Sequence, residues 1–361
     1  MLDYLNNVSY PEDQNFSKKK ILEICFPDAK CNMNCEYCFG NHKTRSCNNS
    51  RPLNKEVLKE QILPIKDKIS FVHLWGGEII YNKEFFLDAV SFIHDILPGT
   101  QINLVSNGLL LPEWVDFLAD NKIDIALSHD GPGQKYRGFD FLESEKHVKA
   151  LLKMYNANLF KTFKLVIHNK NHSYKDINEY FDRFNAKYNI DAHVEGLLIQ
   201  SNDAQAYIFK PEDFPSFKDD IIWMVRDIIT NINNDHHIRA HYSREQVYSV
   251  INAINLAKSK PARLPGICMG TKGFAFTSDG KKVPCHCFVE MDGSIQDFQF
   301  NEAEYFKSCI GCKVASLCNG GCVAKSLKNK KDTCTFSYFY YSVILDTVSA
   351  MLNELKDSNN E

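Results

Sequence analysis

The sequence predicts an α/β protein: a partial (β/α)6 barrel followed by a loop-rich, cysteine-bearing C-terminal segment. Three observations carry this. Six short apolar runs lie between residues 21 and 200, and the segments between them have apolar residues at three- and four-residue spacing, which are the periods of strand and helix. The polar motifs of this region lie just past the ends of those runs, where the loops of a parallel βα sheet build a site. Eight of the thirteen cysteines crowd between Cys268 and Cys334, among seven glycines; such a segment has no periodic apolar face of its own and must be stapled by something.

The elements follow in order. The first strand is ILEICF from Ile21, preceded by an extension over 1–20. ISFVHLW from Ile69, QINLVS from Gln101, IDIALS from Ile123, FKLVIH from Phe163 and AHVEGLLI from Ala192 supply the other five. NKEVLKEQILPI, NKEFFLDAVSFIHDI and ESEKHVKALLKMY between them read as helices. Six βα units over 21–202 are too few for a full eight-stranded barrel, so an open, partial one is expected. Residues 203–265 form a helical bridge with FKDDIIWMVRDIITNI and REQVYSVINAINLAK, 266–340 the loop-rich cysteine domain, and 341–361 a C-terminal helix. The aromatic stretch FSYFYY from Phe336 packs the tail against the barrel.

Composition excludes several classes. Net charge is −3 with lysine and arginine scattered, so there is no electrostatic footprint for nucleic acid or a membrane surface. The N-terminus lacks a basic start and an apolar core and is not a signal peptide; no run of about 18 apolar residues exists to span a bilayer. A cytoplasmic chain keeps its thiols reduced, so dense cysteine points to metal rather than to disulfides. Cysteines fall in two groups, Cys31, Cys35 and Cys38 in one and the eight from Cys268 in the other, with Cys25 and Cys47 outside. Cys25, inside a strand, reads as a packed small hydrophobe, and Cys47 as a free loop thiol.

The first group, C-x3-C-x2-C just after a strand, offers three thiolates to a [4Fe–4S] cluster and leaves one iron open. A structural zinc with His42 as fourth ligand is the competing reading. The triad, Tyr37 before its last cysteine and the partial barrel resemble the radical S-adenosylmethionine (SAM) enzymes. The resemblance implies that the open iron chelates the amino and carboxylate groups of SAM, and that the reduced cluster cleaves it to a 5′-deoxyadenosyl radical. WGGE (Gly76, Gly77, Glu78) matches the family's GGE motif, with Glu78 facing the cofactor's ammonium. SNG supplies Ser106 and Asn107, and SHDGPGQKYR supplies Ser128, Asp130 and Arg137, the last as a carboxylate partner. Val166 and Ile167 of VIHN belong near the adenine. His129 departs from the family's usual leucine and either faces the substrate or points outward.

The C-terminal cysteines, with C-x2-C-x5-C-x3-C at their centre, are similar to the SPASM extension of these enzymes. The resemblance then spans 21–340 and implies three [4Fe–4S] clusters, one SAM-binding and two auxiliary. Cys309, Cys312, Cys318 and Cys334 would ligate the outer auxiliary cluster, and Cys268, Cys285 and Cys322 the inner one. The inner cluster's fourth position falls to Cys287, which shares a strand face with Cys285, or to a substrate atom or water. Zinc knuckles, one of them using His286, are the alternative here.

SPASM-bearing relatives mostly act on peptides, so the expected function is hydrogen abstraction from a ribosomally made precursor peptide, forming a side-chain crosslink. The alternatives are an anaerobic sulfatase-maturating, formylglycine-forming oxidase and a non-enzymatic metal scaffold. Residues 269–284 lack the further cysteine that sulfatase maturases usually carry there, and the intact GGE and SHDG runs argue against the scaffold. About twenty residues before the first strand are too few for a winged-helix leader-binding domain, which points to a separate leader-binding protein or a direct grip on the substrate. Flavodoxin or ferredoxin would donate electrons. None of the 45 acidic residues is singled out as a catalytic base.

Overall fold

The structure is a computed structural model and describes residues 20–26, 30–38, 53–198, 205–258, 273–284, 286–288, 305–318, 320–321 and 323–358. Two compact units emerge, one from 15–164 with 268–298 and the other from 165–267 with 299–361 and 1–14.

In the first unit β1 (Lys20–Phe26), β2 (Ile69–Gly76), β3 (Gln101–Ser106), β4 (Asp124–Ser128) and the first residues of β5 (Phe160–Ile167) stand in successive parallel order. The expected βα alternation holds. Helices α1 (Lys55–Ile62), α2 (Lys83–Ile96), α3 (Leu111–Asp120) and α4 (Glu145–Asn156) make the crossovers. Each strand alternates. Leu22 and Ile24, Val72 and Leu74, Ile102 and Leu104, and Ile125 and Leu127 are buried, while Glu23, His73, Asn103 and Asp124 are half-buried. The register sets those last four side by side across the sheet, a row of polar side chains on its second face.

The sequence placed only loops and turns between Cys268 and residue 340. The structure corrects this: β7 (Gly273–Thr277) pairs parallel with β1, and β8 (Lys282–Val283) turns back antiparallel on β7. Gly280 makes the turn with φ +89°, and a Cβ there would stand 2.4 Å from Val57 Cγ1. Five residues are too few to show a period, and the hydrogen bonds that make them a strand come from β1, some 250 positions earlier.

In the second unit β6 (His193–Leu198) flanks the last residues of β5, and α5 (Tyr174–Tyr188) starts on Ser173, whose hydroxyl accepts the Asp176 N–H at 3.2 Å. The bridge folds as α6 (Phe214–Thr230), α7 (Asp235–His241) and α8 (Arg244–Ala257), the last opened by a reciprocal Ser243–Gln246 cap. The final helix, α9 (Val323–Asp357), is 35 residues long, so it begins well before residue 341. Its aromatics pack on the bridge rather than on strands: Phe336 stacks on Phe209 at 5.3 Å and Phe339 on Phe214 at 4.1 Å.

Candidate radical-initiating site

The loop from β1 carries Cys31, Cys35 and Cys38 and is held by backbone bonds from two other strand ends. Glu78 N–H donates to Lys30 O at 2.8 Å, Glu36 N–H to Tyr136 O at 2.9 Å, and Cys38 N–H closes a turn on Cys35 O at 3.1 Å. Asn82 Nδ2 donates to Lys30 O at 3.2 Å and to Glu78 O at 2.9 Å, so the GGE loop and the cysteine loop share one polar clamp.

Side chains from the third and fourth strand ends reach the sulfurs. Asn107 Nδ2 lies 3.8 Å from Cys31 Sγ and donates to Asn32 Oδ1 at 2.7 Å; Arg137 Nη1 lies 3.9 Å from Cys35 Sγ. Asp130, fully buried, accepts the Tyr37 hydroxyl and Arg137 Nη2, the latter at 3.4 Å. Burial works against the Arg137 charge, but the Asp130 carboxylate together with Tyr37 and Cys35 outweighs it and holds the guanidinium above its ordinary pKa. Burial pushes Tyr37 well above its ordinary value.

Glu78 is buried, and its Oε2 accepts the Asn107 N–H at 2.7 Å. Burial, against that hydrogen bond, pushes the carboxyl from 4.5 up to about 7. Its Oε1 and the Nε of Arg137 are buried polar atoms without a hydrogen-bond partner among the described residues. Such orphans are rare and ask for a ligand. An ammonium and a carboxylate would answer them.

Burial also pushes the Cys31 thiol up to about 12 and the Cys35 thiol up to about 11, the latter against the pull of Arg137. Thiols so placed stay protonated unless a cationic group binds them, and an iron–sulfur cluster is such a group. Among the described residues no three His, Cys, Asp or Glu side chains close on a point as the ligands of a single metal ion do.

The structure brings Tyr37, Glu78, Asn107, Asp130 and Arg137 to the cysteine loop, with Gly76 ending β2 and Gly77 following it just before Glu78. Ser106 accepts the Gly108 N–H at 3.1 Å and so shapes the turn. Gly108 has φ +81°, and a Cβ there would strike Phe141 at 2.8 Å. Ser128, half-buried, ends β4, and Val166 and Ile167 end β5. His129 faces neither substrate nor solvent: it is fully buried, its Nε2 meets Asp140 Oδ1 at 2.9 Å, and its Nδ1 accepts the Gly131 N–H at 3.0 Å.

Sequence reasoning missed Asn32, Asn82 and Glu23. Glu23 Oε1 lies 3.1 Å from His286 Nδ1, its Oε2 accepts the His286 N–H at 3.3 Å, and the His286 ring stacks on Trp75 at 4.8 Å. Burial disfavours the Glu23 charge, but hydrogen bonds with His286 and His73 outweigh it and hold the carboxyl below its usual range. His286 is thereby engaged by a carboxylate.

Cys309, Cys312, Cys318 and Cys334 come together in the second unit. Cys312 N–H donates to Cys309 O at 3.1 Å, Cys318 N–H to Val314 O at 2.8 Å, and Cys334 enters from α9. Burial pushes Cys318 up to about 11, with a Ser337 hydrogen bond opposing and the other three thiols adding to the rise. Cys47, Cys268, Cys285 and Cys322, His42 and the side chain of Cys287 lie outside the described residues.

Residues 29–184 match the family model of the radical SAM superfamily. Over 346 residues the chain is 26% identical to the cysteine-type anaerobic sulfatase-maturating enzyme of Clostridium perfringens, covering 86% of this chain and 90% of that one. Its fold is similar to a solved structure described as native anSMEcpe with bound AdoMet (TM-score 0.60, 19% identity, 93% of this chain and 99% of that one). It is also similar to Streptococcus suis SuiB (TM-score 0.54, 16% identity, 87% and 75%). Residues 29–184 thus carry a radical SAM domain, and the chain as a whole is similar to a sulfatase-maturating radical SAM enzyme.

Proposed function

We propose that the protein oxidises a cysteine or serine side chain within a protein substrate, as a sulfatase-maturating enzyme. The carrying observation is the likeness to the Clostridium enzyme, which runs through 86% of this chain and 90% of that one. When bound, the cluster and SAM supply a 5′-deoxyadenosyl radical, the hydrogen-abstracting agent. Cys31, Cys35 and Cys38 would hold that cluster, Glu78 the cofactor's ammonium and Arg137 its carboxylate, with Ser106, Asn107 and Ser128 lining the rest. Asp130 and Tyr37 keep the guanidinium oriented, and Asn107 and Arg137 direct N–H groups at the sulfurs, which stabilises their thiolate form. Two auxiliary [4Fe–4S] clusters complete the reading, the outer on Cys309, Cys312, Cys318 and Cys334 and the inner on Cys268, Cys285 and Cys322.

One observation favours a second reading, the side-chain crosslinking of a precursor peptide: residues 269–284 contain no cysteine, where the resemblance leads one to find a further cluster ligand in sulfatase maturases.

Anaerobically reconstituted protein and its Cys31/Cys35/Cys38→Ala variant test this. Iron should fall from about twelve to about eight per chain, with loss of 5′-deoxyadenosine formation. Mass spectrometry of two substrates then decides. Conversion of cysteine to an aldehyde in a sulfatase peptide replaces sulfur and two hydrogens by one oxygen. A crosslink in a precursor peptide removes two hydrogens only. Reaction with the precursor peptide and none with the sulfatase peptide would overturn the first reading.

A further inference from the structure

The helical bridge carries a group of histidines that the radical chemistry leaves unused. Helix α7 runs DHHIRAH, which puts His237 and His241 four residues apart on one helix face. Their ring centroids lie 4.4 Å apart, with the planes inclined by 38°. Each ring is backed by a carboxylate from a different helix. Asp227 Oδ2 of α6 lies 2.7 Å from His237 Nε2, and Asp182 Oδ1 of α5 lies 3.4 Å from His241 Nε2. Asp227 is itself fixed, accepting the Tyr242 hydroxyl at 2.9 Å and Asn231 Nδ2 at 3.1 Å.

A carboxylate at Nε2 keeps the ring proton on that nitrogen and leaves Nδ1 with its lone pair. On His241, whose side chain is 9% exposed, that Nδ1 is buried and has no hydrogen-bond partner among the described residues. An orphan of this kind asks for a ligand. Burial, with His237 and His236 adding to it and Asp182 and Asp227 opposing, holds the His241 pKa below its ordinary value, so the ring is neutral and its lone pair is available. The surroundings favour a cation. Asp191 lies 3.3 Å from His236 Nδ1, and Asp235 pairs with Arg239, the arginine of α7. Imidazoles braced at one nitrogen by a carboxylate are the usual form of histidine ligands to divalent transition ions. No three His, Cys, Asp or Glu side chains close on one point among the described residues, so such an ion takes two protein ligands here and water for the rest.

We propose that His237 and His241 bind a divalent first-row transition ion such as Zn2+ through their Nδ1 atoms, with Asp227 and Asp182 as the carboxylates that orient the two rings. The site lies on the bridge and does not depend on the cluster reading or on the substrate. Two imidazole nitrogens replace two waters of the ion, no electron moves, and the neutral rings release no proton. Because the ion binds the folded pair, it stabilises the native chain by mass action.

The test titrates reconstituted holoenzyme, its iron content recorded first, with Zn2+ under anaerobic conditions. The wild type should take up about one equivalent, and zinc-edge X-ray absorption should show imidazole nitrogens at about 2.0–2.1 Å. His237→Gln and His241→Gln should each weaken uptake about tenfold or more, and Asp227→Asn about tenfold. Melting temperature with and without Zn2+ is the second readout. The ion should raise it in the wild type and leave it unchanged in His237→Gln. That ring is the more exposed of the two, 26% against 9%, so this comparison stands even where His241→Gln folds poorly. Sulfur neighbours at about 2.3 Å would give the zinc to free thiols and overturn the proposal. So would no uptake by the wild type, or equal uptake and equal thermal shift in His237→Gln, either of which would leave the two histidines as ion-pair partners of Asp227 and Asp182 alone.

Discussion

Glu78→Gln separates what the site costs when empty from what it contributes when filled. Glu78 is 1% exposed, and burial raises its carboxyl from 4.5 to about 7. At about 1.4 kcal/mol per pH unit, that displacement amounts to about 3 kcal/mol. The folded value lies above the unfolded one, so between about pH 4.5 and 7 the native protein holds a proton that the unfolded chain has released, and stability falls as pH rises through that window. Below it no cost is felt; above it the whole cost is. Glu78→Gln removes this pH dependence and should melt higher than the wild type at pH 8. Binding runs the other way, because the charged carboxylate is the form that accepts from an ammonium. With a value near 7, about nine-tenths of it is charged at pH 8 and about one-tenth at pH 6. The ratio of wild-type to variant affinity for SAM should therefore fall about tenfold between pH 8 and pH 6, and taking the ratio cancels the ligand's own titration. Anaerobic equilibrium dialysis with labelled SAM reads it. An equal ratio at the two pH values, or a variant less stable at pH 8, would refute the reasoning.

Asp130→Asn leaves the buried Arg137 charge without its carboxylate at 3.4 Å and should cost about 3–5 kcal/mol, seen as a lower melting temperature; Asp130→Asn/Arg137→Gln should recover part of it, and an unchanged melt would deny the pair its role. Gly280→Ala forces a side chain into φ +89° and against Val57 Cγ1 at 2.4 Å, for a loss of about 1–3 kcal/mol. Adding Val57→Ala should relieve the clash but not the backbone strain, so the double variant should melt between Gly280→Ala and Val57→Ala alone plus the remaining strain; full recovery would show that the turn tolerates alanine.

Local pattern made much of this legible. The six βα units, the triad, the GGE loop and the SHDG run are each set by neighbours within a few residues, and sequence order alone places them at strand ends. His129 was also within reach: alternation along β4 puts it in register with the buried Ile125 and Leu127, on the face turned from the site. β7 was not, since its partner is the first strand of the chain. Nor was the start of α9 at Val323, because the lysine-rich turns before Cys334 show no apolar period. Asn82 and Asn32 act by bonding a backbone carbonyl and another amide, contacts that leave no compositional trace.

The two orphaned atoms say what shape of ligand the first site was built around. Leaving a buried polar atom unpaired costs about 1–3 kcal/mol, and here one lone acceptor, Glu78 Oε1, and one lone donor, Arg137 Nε, share a loop system that includes the raised thiols of Cys31 and Cys35. A ligand with only a cationic head would leave Arg137 unpaired, and a simple anion would leave Glu78 so. A molecule bearing an amine and a carboxylate on one carbon serves both, and the amino-acid part of SAM is of that kind. The acidity of Glu78 fits the same account. Its neighbours among the described residues do not stabilise its charge well enough to keep it fully ionised near neutrality, so an ammonium that completes its hydrogen bonding would convert a folding cost into binding free energy.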